Sequence, residues 1–156
     1  MAFDSFLKID GIDGESTDVK HKGEIEVLSF NWNITRSRRG RAKVADFTIV
    51  KHLDKATPQL FDSVCAGDRI PEATLTARKA GEGQRDFLIV TLKEVFVNSV
   101  APAGNTSNDM PLEQVSLSFS RSEITFIPQD KTGKPGPPVT SSCSLRSDSS
   151  APDREP

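Results

Sequence analysis

Apolar and polar positions alternate with a period of two along most of this 156-residue chain, the spacing of half-buried strands. From Glu24 to Ile34 the alternation changes phase. Ile25 and Val27 lie on one face, and Leu28, Phe30, Trp32 and Ile34 on the other. The first face then continues as Ser29, Asn31 and Asn33, wholly polar. A slip at Val27–Leu28 predicts a bulge or bend where one strand passes between two packing environments, as in closed or strongly curved sheets. Phe30, Trp32 and Ile34 are expected to face the core, which turns Ser29, Asn31 and Asn33 the other way.

Five further segments carry strand patterns. Phe3–Ile9 places Phe3, Leu7 and Ile9 against Asp4 and Lys8, then turns through Asp10-Gly11 and Asp13-Gly14. Val44–Leu53 sets Phe47, Ile49 and Leu53 on one face, and Ala73–Ala77 alternates ahead of a turn at Ala80–Gln84. Phe87–Val100 and Leu112–Ile127 are long; in the second, Val115, Leu117 and Phe119 share one face and Ile124 and Phe126 the other, a second change of phase. A single helix is predicted between them and the early strands, with Thr57 as N-cap, Pro58 in the first helical position and Gly67 as its stop. Its apolar stripe reads Leu60, Phe61, Val64 and Cys65. Six strands, one short helix and no βαβ rhythm predict a mainly β fold: a small antiparallel β-barrel with one short flanking α-helix.

Length fits one domain with a real core. The formal net charge of −2 argues against nucleic-acid binding through the overall field. No apolar run approaches the roughly 18 residues that span a bilayer, and the start M-A-F-D-S-F-L-K has no signal-peptide pattern, so cytosolic synthesis without membrane insertion is expected.

Catalytic patterns are missing. Ser16 in G-E-S-T-D lacks the second glycine of a nucleophile elbow. D-K-T-G-K-P around Lys134 lacks the leading glycine and the Ser/Thr of a phosphate loop, and G-E-G-Q-R-D at Gly81–Asp86 reads as a hairpin turn. His21, His52, Cys65 and Cys143 are scattered without metal-ligand spacing, so His21 reads as a surface residue and His52 as sheet-borne. Asp10, Asp13, Glu15 and Asp18 have the spacing of turn formers, not of a calcium loop. Neither a catalytic set nor a cofactor is implied, and no Cys65–Cys143 disulfide is expected, since Cys143 falls in a tail without apolar period.

Charge is concentrated in the run Arg36-Ser37-Arg38-Arg39-Gly40-Arg41-Ala42-Lys43, read as a loop. It suits docking to an acidic protein surface, phosphate binding, or simple solvation. No aromatic residue interleaves the arginines to stack on bases.

Several longer segments together resemble the haemolysin-coregulated protein (Hcp) family of the type VI secretion system. They are F-L-K-I-D-G-I-D-G-E-S-T-D at Phe6–Asp18, H-K-G-E-I-E-V-L-S-F-N-W at His21–Trp32, and A-K-V-A-D-F-T-I-V-K-H-L-D-K-A-T-P-Q-L-F at Ala42–Phe61. L-T-A-R-K-A-G at Leu75–Gly81, F-L-I-V-T-L-K-E-V at Phe87–Val95 and P-Q-D-K-T-G-K-P-G at Pro128–Gly136 extend the match. The resemblance covers residues 1–140 as one Hcp-like domain. It implies a small β-barrel with a lateral helix and a homo-hexameric ring that stacks into a tube. The tube lies within a contractile sheath, is expelled with a spike, and can carry effector proteins in its channel. In that setting Ser29, Asn31 and Asn33 are expected on the channel wall, and Arg36, Arg38, Arg39, Arg41 and Lys43 on a loop that touches the next ring.

The chain departs from the family pattern twice. The loop after the second strand is short and arginine-rich where members often have glycines. After Val139, where a Gly-Trp pair often leads a last strand, it reads T-S-S-C-S-L-R-S, which leaves a terminal strand undecided. With six serines in its last sixteen residues and no apolar period, 141–156 is expected to be a disordered tail. The tube subunit is the function the residues fit. An effector-carrier ring that builds no firing tube is the alternative, and an enzyme or nucleic-acid binder a third class.

Overall fold

The structure, a computed structural model, describes residues 3–81, 83–104, 106 and 110–144. The strands are β1 (Phe3–Ile9), β2 (Ile25–Val27), β3 (Ser29–Asn31), β4 (Ile34–Arg36), β5 (Ala42–Val44), β6 (Phe47–His52), β7 (Ile70–Lys79), β8 (Asp86–Ala103), β9 (Leu112–Ser118), β10 (Arg121–Phe126) and β11 (Val139–Ser144). One helix, α1 (Ala56–Ala66), lies between β6 and β7 and packs against β8. The mainly β architecture with a single flanking helix is as expected; the two changes of phase split two of the six strand signals, and the β4–β5 ladder and β11 bring the total to eleven.

Nine strands form one antiparallel sheet in the order β2-β1-β7-β8-β9-β6-β3, with β10 paired to β8 and β11 to β10. The two ends of that order, β2 and β3, belong to one continuous stretch of chain. Ile25–Val27 pairs with β1, Ser29–Asn31 pairs with β6, and Leu28 between them donates its N–H to Val50 O at 2.8 Å. The sheet therefore curls until both edges meet in a single segment, although no ladder joins β2 to β3. The break falls at the predicted slip, and Leu28 is turned out, 52% exposed.

The second change of phase has a similar cause. β9 and β10 both pair with β8, β9 along Phe96–Ala103 and β10 along Leu88–Lys93. At the junction Glu94 has φ +55°, Ser120 donates its N–H to Lys93 O at 3.1 Å, and the Ser120 hydroxyl donates to Glu94. A non-glycine residue with positive φ is uncommon, and here it lets an eighteen-residue strand bend between two environments. The core is continuous across the curl: Leu7, Ile25, Phe47, Ile49, Leu75, Leu92, Val95, Val115 and Leu117 are all essentially inaccessible. Each such side chain contributes about 1.5–3 kcal/mol relative to exposure.

Four expectations need correction. The helix begins at Ala56, not after Thr57, because Asp54 Oδ1 accepts the Ala56 N–H at 2.9 Å while Thr57 turns its hydroxyl towards Glu113. Gly67 does end it, in the left-handed conformation. Its inward face is Ala56, Leu60 and Ser63, whereas Phe61 and Cys65 are exposed; small residues allow a close approach to the sheet that apolar counting overlooks. His21 is buried, stacked on Phe6 with ring centroids 4.5 Å apart. Ile34 is 54% exposed, not in the core, because the chain leaves the main sheet after Asn31.

β11 is the fourth. It runs through Ser144, four residues into the segment expected to be disordered, paired with β10 from Phe126↔Val139 to Arg121↔Ser144. Backbone hydrogen bonds to an available strand edge need no apolar alternation. The expectation for 145–156 lies outside the described residues.

Candidate assembly surfaces

β3 carries the polar row. Phe30 and Trp32 pack on the core side with Phe47, at centroid distances of 6.3 and 5.1 Å from its ring, and Phe30 and Trp32 lie 6.3 Å apart. Pleating sends Ser29 and Asn31 outward, and both are exposed, as is Asn33, whose carbonyl accepts the Ala45 N–H at 2.9 Å. The three polar side chains thus share an exposed ridge backed by an aromatic cluster. Its rigidity comes from that cluster, since none of the three side chains is packed.

The ridge leads directly into the basic run, which is not an irregular loop. β4 and β5 form a separate two-stranded ladder, Ile34↔Val44, Thr35↔Lys43 and Arg36↔Ala42. Its tip is closed by Gly40 N–H donating to Ser37 O at 3.3 Å and by Arg36 Nε donating to Gly40 O at 3.2 Å. Arg36, Arg38, Arg39, Arg41 and Lys43 are all exposed on this hairpin. The root is tied down near Asp46, which accepts from Asn98 at 3.0 Å.

Three features carry no pattern that a reading for catalysis or charge runs would find. First, apolar side chains are exposed along one run: Phe3 and Leu28 at β1–β2, and Phe126 (50%) with Val139 (66%) on the β10–β11 pair, Phe3 and Phe126 being linked through the Phe87 ring at 5.8 and 6.5 Å. Second, the outer face of β1 is covered by the segment that includes His21. Phe6 lies between that chain and Arg78, whose guanidinium carbon sits 5.0 Å from its ring centroid, and Arg78 forms a forked ion pair with Asp18. Hydrogen bonding from Arg78 lowers the Asp18 carboxyl to about 2. Third, the P-Q-D-K-T-G-K-P-G segment is a tight turn built on Asp130. Its Oδ1 accepts from Thr132 Oγ1 at 2.6 Å, Thr132 N–H at 2.8 Å and Lys134 N–H at 2.9 Å, which holds the carboxyl below its ordinary value.

Among the described residues no group of three or more His, Cys, Asp or Glu side chains is placed to hold a metal ion. Cys65 and Cys143 are free thiols, Cys65 on the exposed face of α1 and Cys143 half-buried in β11. No helix among the described residues is long and apolar enough to cross a membrane. What the geometry presents is a set of surfaces on a curled sheet: a polar ridge, a basic hairpin and an exposed apolar run.

These are the features of a structural, assembly-forming protein, and the comparisons identify which kind. Residues 6–126 match the family described as "Type VI secretion system effector, Hcp". The protein Hcp1 of Pseudomonas aeruginosa is 38% identical, over 94% of this chain and 97% of the relative. The crystal structure of Hcp1 from Salmonella typhimurium aligns with a TM-score of 0.84 at 38% identity, over 94% of this chain and 97% of that one. A type VI secretion system effector from Yersinia pestis aligns with a TM-score of 0.79 at 32% identity, over 90% and 99%. The chain belongs to the Hcp family, the secreted structural proteins of the type VI secretion system.

Proposed function

We infer that this chain is a subunit of the secretion system's inner tube. Six copies close into a ring around a channel, rings stack head to tail within a contractile sheath, and the tube leaves the cell behind a spike with effector proteins held inside. The observation that carries this reading is the apolar surface the folded chain leaves uncovered on the β10–β11 pair, with Phe126 at 50% and Val139 at 66% exposure. A cyclic ring uses a heterologous interface, so each subunit must bring two unlike surfaces. Synthesis in the bacterial cytoplasm and export through the secretion machine itself follow from that role.

Within the ring, Ser29, Asn31 and Asn33 line the channel. An uncharged polar wall holds varied cargo without gripping it. Arg36, Arg38, Arg39, Arg41 and Lys43 face the next ring. A face with five cations per subunit repels its own copy, which disfavours head-to-head pairing and favours a polar stack. Each exposed ion pair is worth only about 0–1 kcal/mol, so isolated rings stack weakly and in a salt-dependent way.

Light scattering and electron microscopy of the purified chain test the reading. Rings of six-subunit mass are expected at low salt, with tubes at high protein concentration. Reversing Arg38, Arg39 and Arg41 to Glu should leave rings and abolish tubes. A wild-type chain that stays monomeric at high concentration overturns the reading.

A further inference from the structure

An open groove of about 460 Å³ lies along β1 and β2. Phe6 and Val27 are buried beneath it, Phe3 and Leu28 form an apolar lip at 46% and 52% exposure, and Asp4 and Glu26 stand on the rim beside Asp18. Arg78 is the cation that meets these carboxylates, bound to Asp18 and 3.7 Å from Asp4. Arg78 thus pairs with two of the three carboxylates, and the rim stays negative. Glu26 is exposed and makes no ion pair among the described residues.

The β4–β5 hairpin is the counterpart. Arg38, Arg39 and Lys43 are exposed and make no ion pair among the described residues, and Ile34 at the base of the ladder is 54% exposed. A narrow two-stranded hairpin with cations at its tip and an apolar residue at its base matches a groove with carboxylates on its rim and an apolar lip. Arginine suits such a site twice over, since its planar fork pairs with carboxylates and stacks on an exposed ring such as Phe3. Among the described residues, Arg38, Arg39 and Lys43 make no ion pair to the groove of their own chain.

We propose that the β1–β2 groove is the receptor for the β4–β5 hairpin of a second copy of this chain. The proposal rests on the reading of that hairpin as a contact between copies, and it names the surface on the other side. Hairpin and groove are different surfaces of one molecule, so the contact is heterologous and propagates from copy to copy. Guanidiniums seat between Asp4 and Glu26, Ile34 covers Leu28, and Phe3 loses its exposed face to an arginine plane. Two cationic hairpin tips repel one another, so hairpin on groove is favoured over hairpin on hairpin.

The test is charge reversal with rescue on the full-length chain. Glu26→Lys alone, Arg38→Glu with Arg39→Glu, and all three together are followed by sedimentation velocity and electron microscopy at low salt, with circular dichroism checking the fold. Each reversal by itself should raise the concentration for half-assembly by up to about fivefold, and the three together should return it to within about twofold of wild type. In parallel, Glu26→Cys and Arg39→Cys in a background with Cys65 and Cys143 changed to Ser should give disulfide-linked multimers under mild oxidation. A reversal that assembles like wild type, a combination no better than its parts, or assembled material with no cross-link overturns the groove while leaving the tube reading standing. A wild-type chain that never self-associates overturns both.

Discussion

Lys51 and Glu113 stand directly opposite one another across the β6–β9 ladder, and both side chains are completely buried. Lys51 Nζ binds Glu113 Oε2, and it also reaches Asp54 Oδ1 at 2.8 Å and donates to His52 O at 3.0 Å. Thr57 Oγ1 donates to the same Glu113 oxygen at 2.8 Å. The cluster ties the start of α1 to the end of the β6–β9 ladder. Removing one partner of a buried pair leaves an uncompensated charge, at a cost of about 3–5 kcal/mol. Glu113→Ala should therefore destabilise by an amount in this range, with Asp54 holding it to the lower end. Replacing both residues by Leu or Met should cost much less. Urea unfolding of the three variants distinguishes a pair that stabilises from one that merely must not be broken; equal losses in single and double variants would reject the pairing argument.

Acid should weaken the cover over Phe6. Arg78 holds the Asp18 carboxyl at about 2, below its ordinary 3.8. A carboxyl depressed in the folded state adds stability above its ordinary value and loses it as pH falls through the folded one. The loss should therefore appear between about pH 4 and about pH 2. Glu72, paired with Lys93, and Asp130, bonded to Thr132, are lowered in the same direction and add to the slope. In Asp18→Asn the acid limb of Tm against pH should become shallower without vanishing, and a limb identical to wild type would remove Asp18 from the account.

Gly14 should tolerate no side chain. A Cβ there would lie 2.6 Å from Glu24 O and 2.7 Å from Ile25 Cα, both backbone atoms that cannot swing aside. Gly14 N–H also donates to Gly23 O at 2.8 Å, so the two strands of this loop are held at that spacing. Gly14→Ala should cost about 1–3 kcal/mol, as overpacking does, read as a lower Tm. Gly11→Ala serves as the contrast: no atom obstructs a Cβ there, and only its φ of +82° resists substitution.

Asn31→Arg tests the proposed placement of Asn31 on the channel wall. Asn31 is exposed and its side chain packs against nothing that the core needs, so fold and ring assembly should survive. Retention of effector in co-purification should fall several-fold, since a ring of added cations changes an uncharged wall into a charged one. If the ring itself is lost, Asn31 belongs to a subunit interface instead.

Much of this architecture is legible in the order of apolar residues. The slip at Val27–Leu28 and the change of phase between Phe119 and Ile124 each mark a place where the strand changes environment, and a period of two reports such changes directly. The outward turn of Ser29, Asn31 and Asn33 follows from the same rule. What stayed hidden depends on partners far away in sequence. Lys51 and Glu113 carry no signal of burial in the sequence; only the ladder sets them face to face. His21 reads as exposed until Phe6 is brought against its ring. The inward face of α1 is written in Ala56 and Ser63, whose contribution is closeness instead of bulk. β11 has no apolar rhythm and depends on the edge that β10 offers. The hairpin nature of the basic run was obscured because only three residue pairs hold it.

A curled sheet whose two borders are the same short stretch of chain responds to mechanical load in a particular way. In an open sheet a border strand peels from one end, and its hydrogen bonds break one after another under little force. Here Ile25–Asn31 is held by β1 on one half and by β6 on the other, with Leu28 bonded to Val50 at the crossover. Pulling on either half drags the other, so the two ladders must shear together. Under load the seam then resists as one unit instead of peeling from an end.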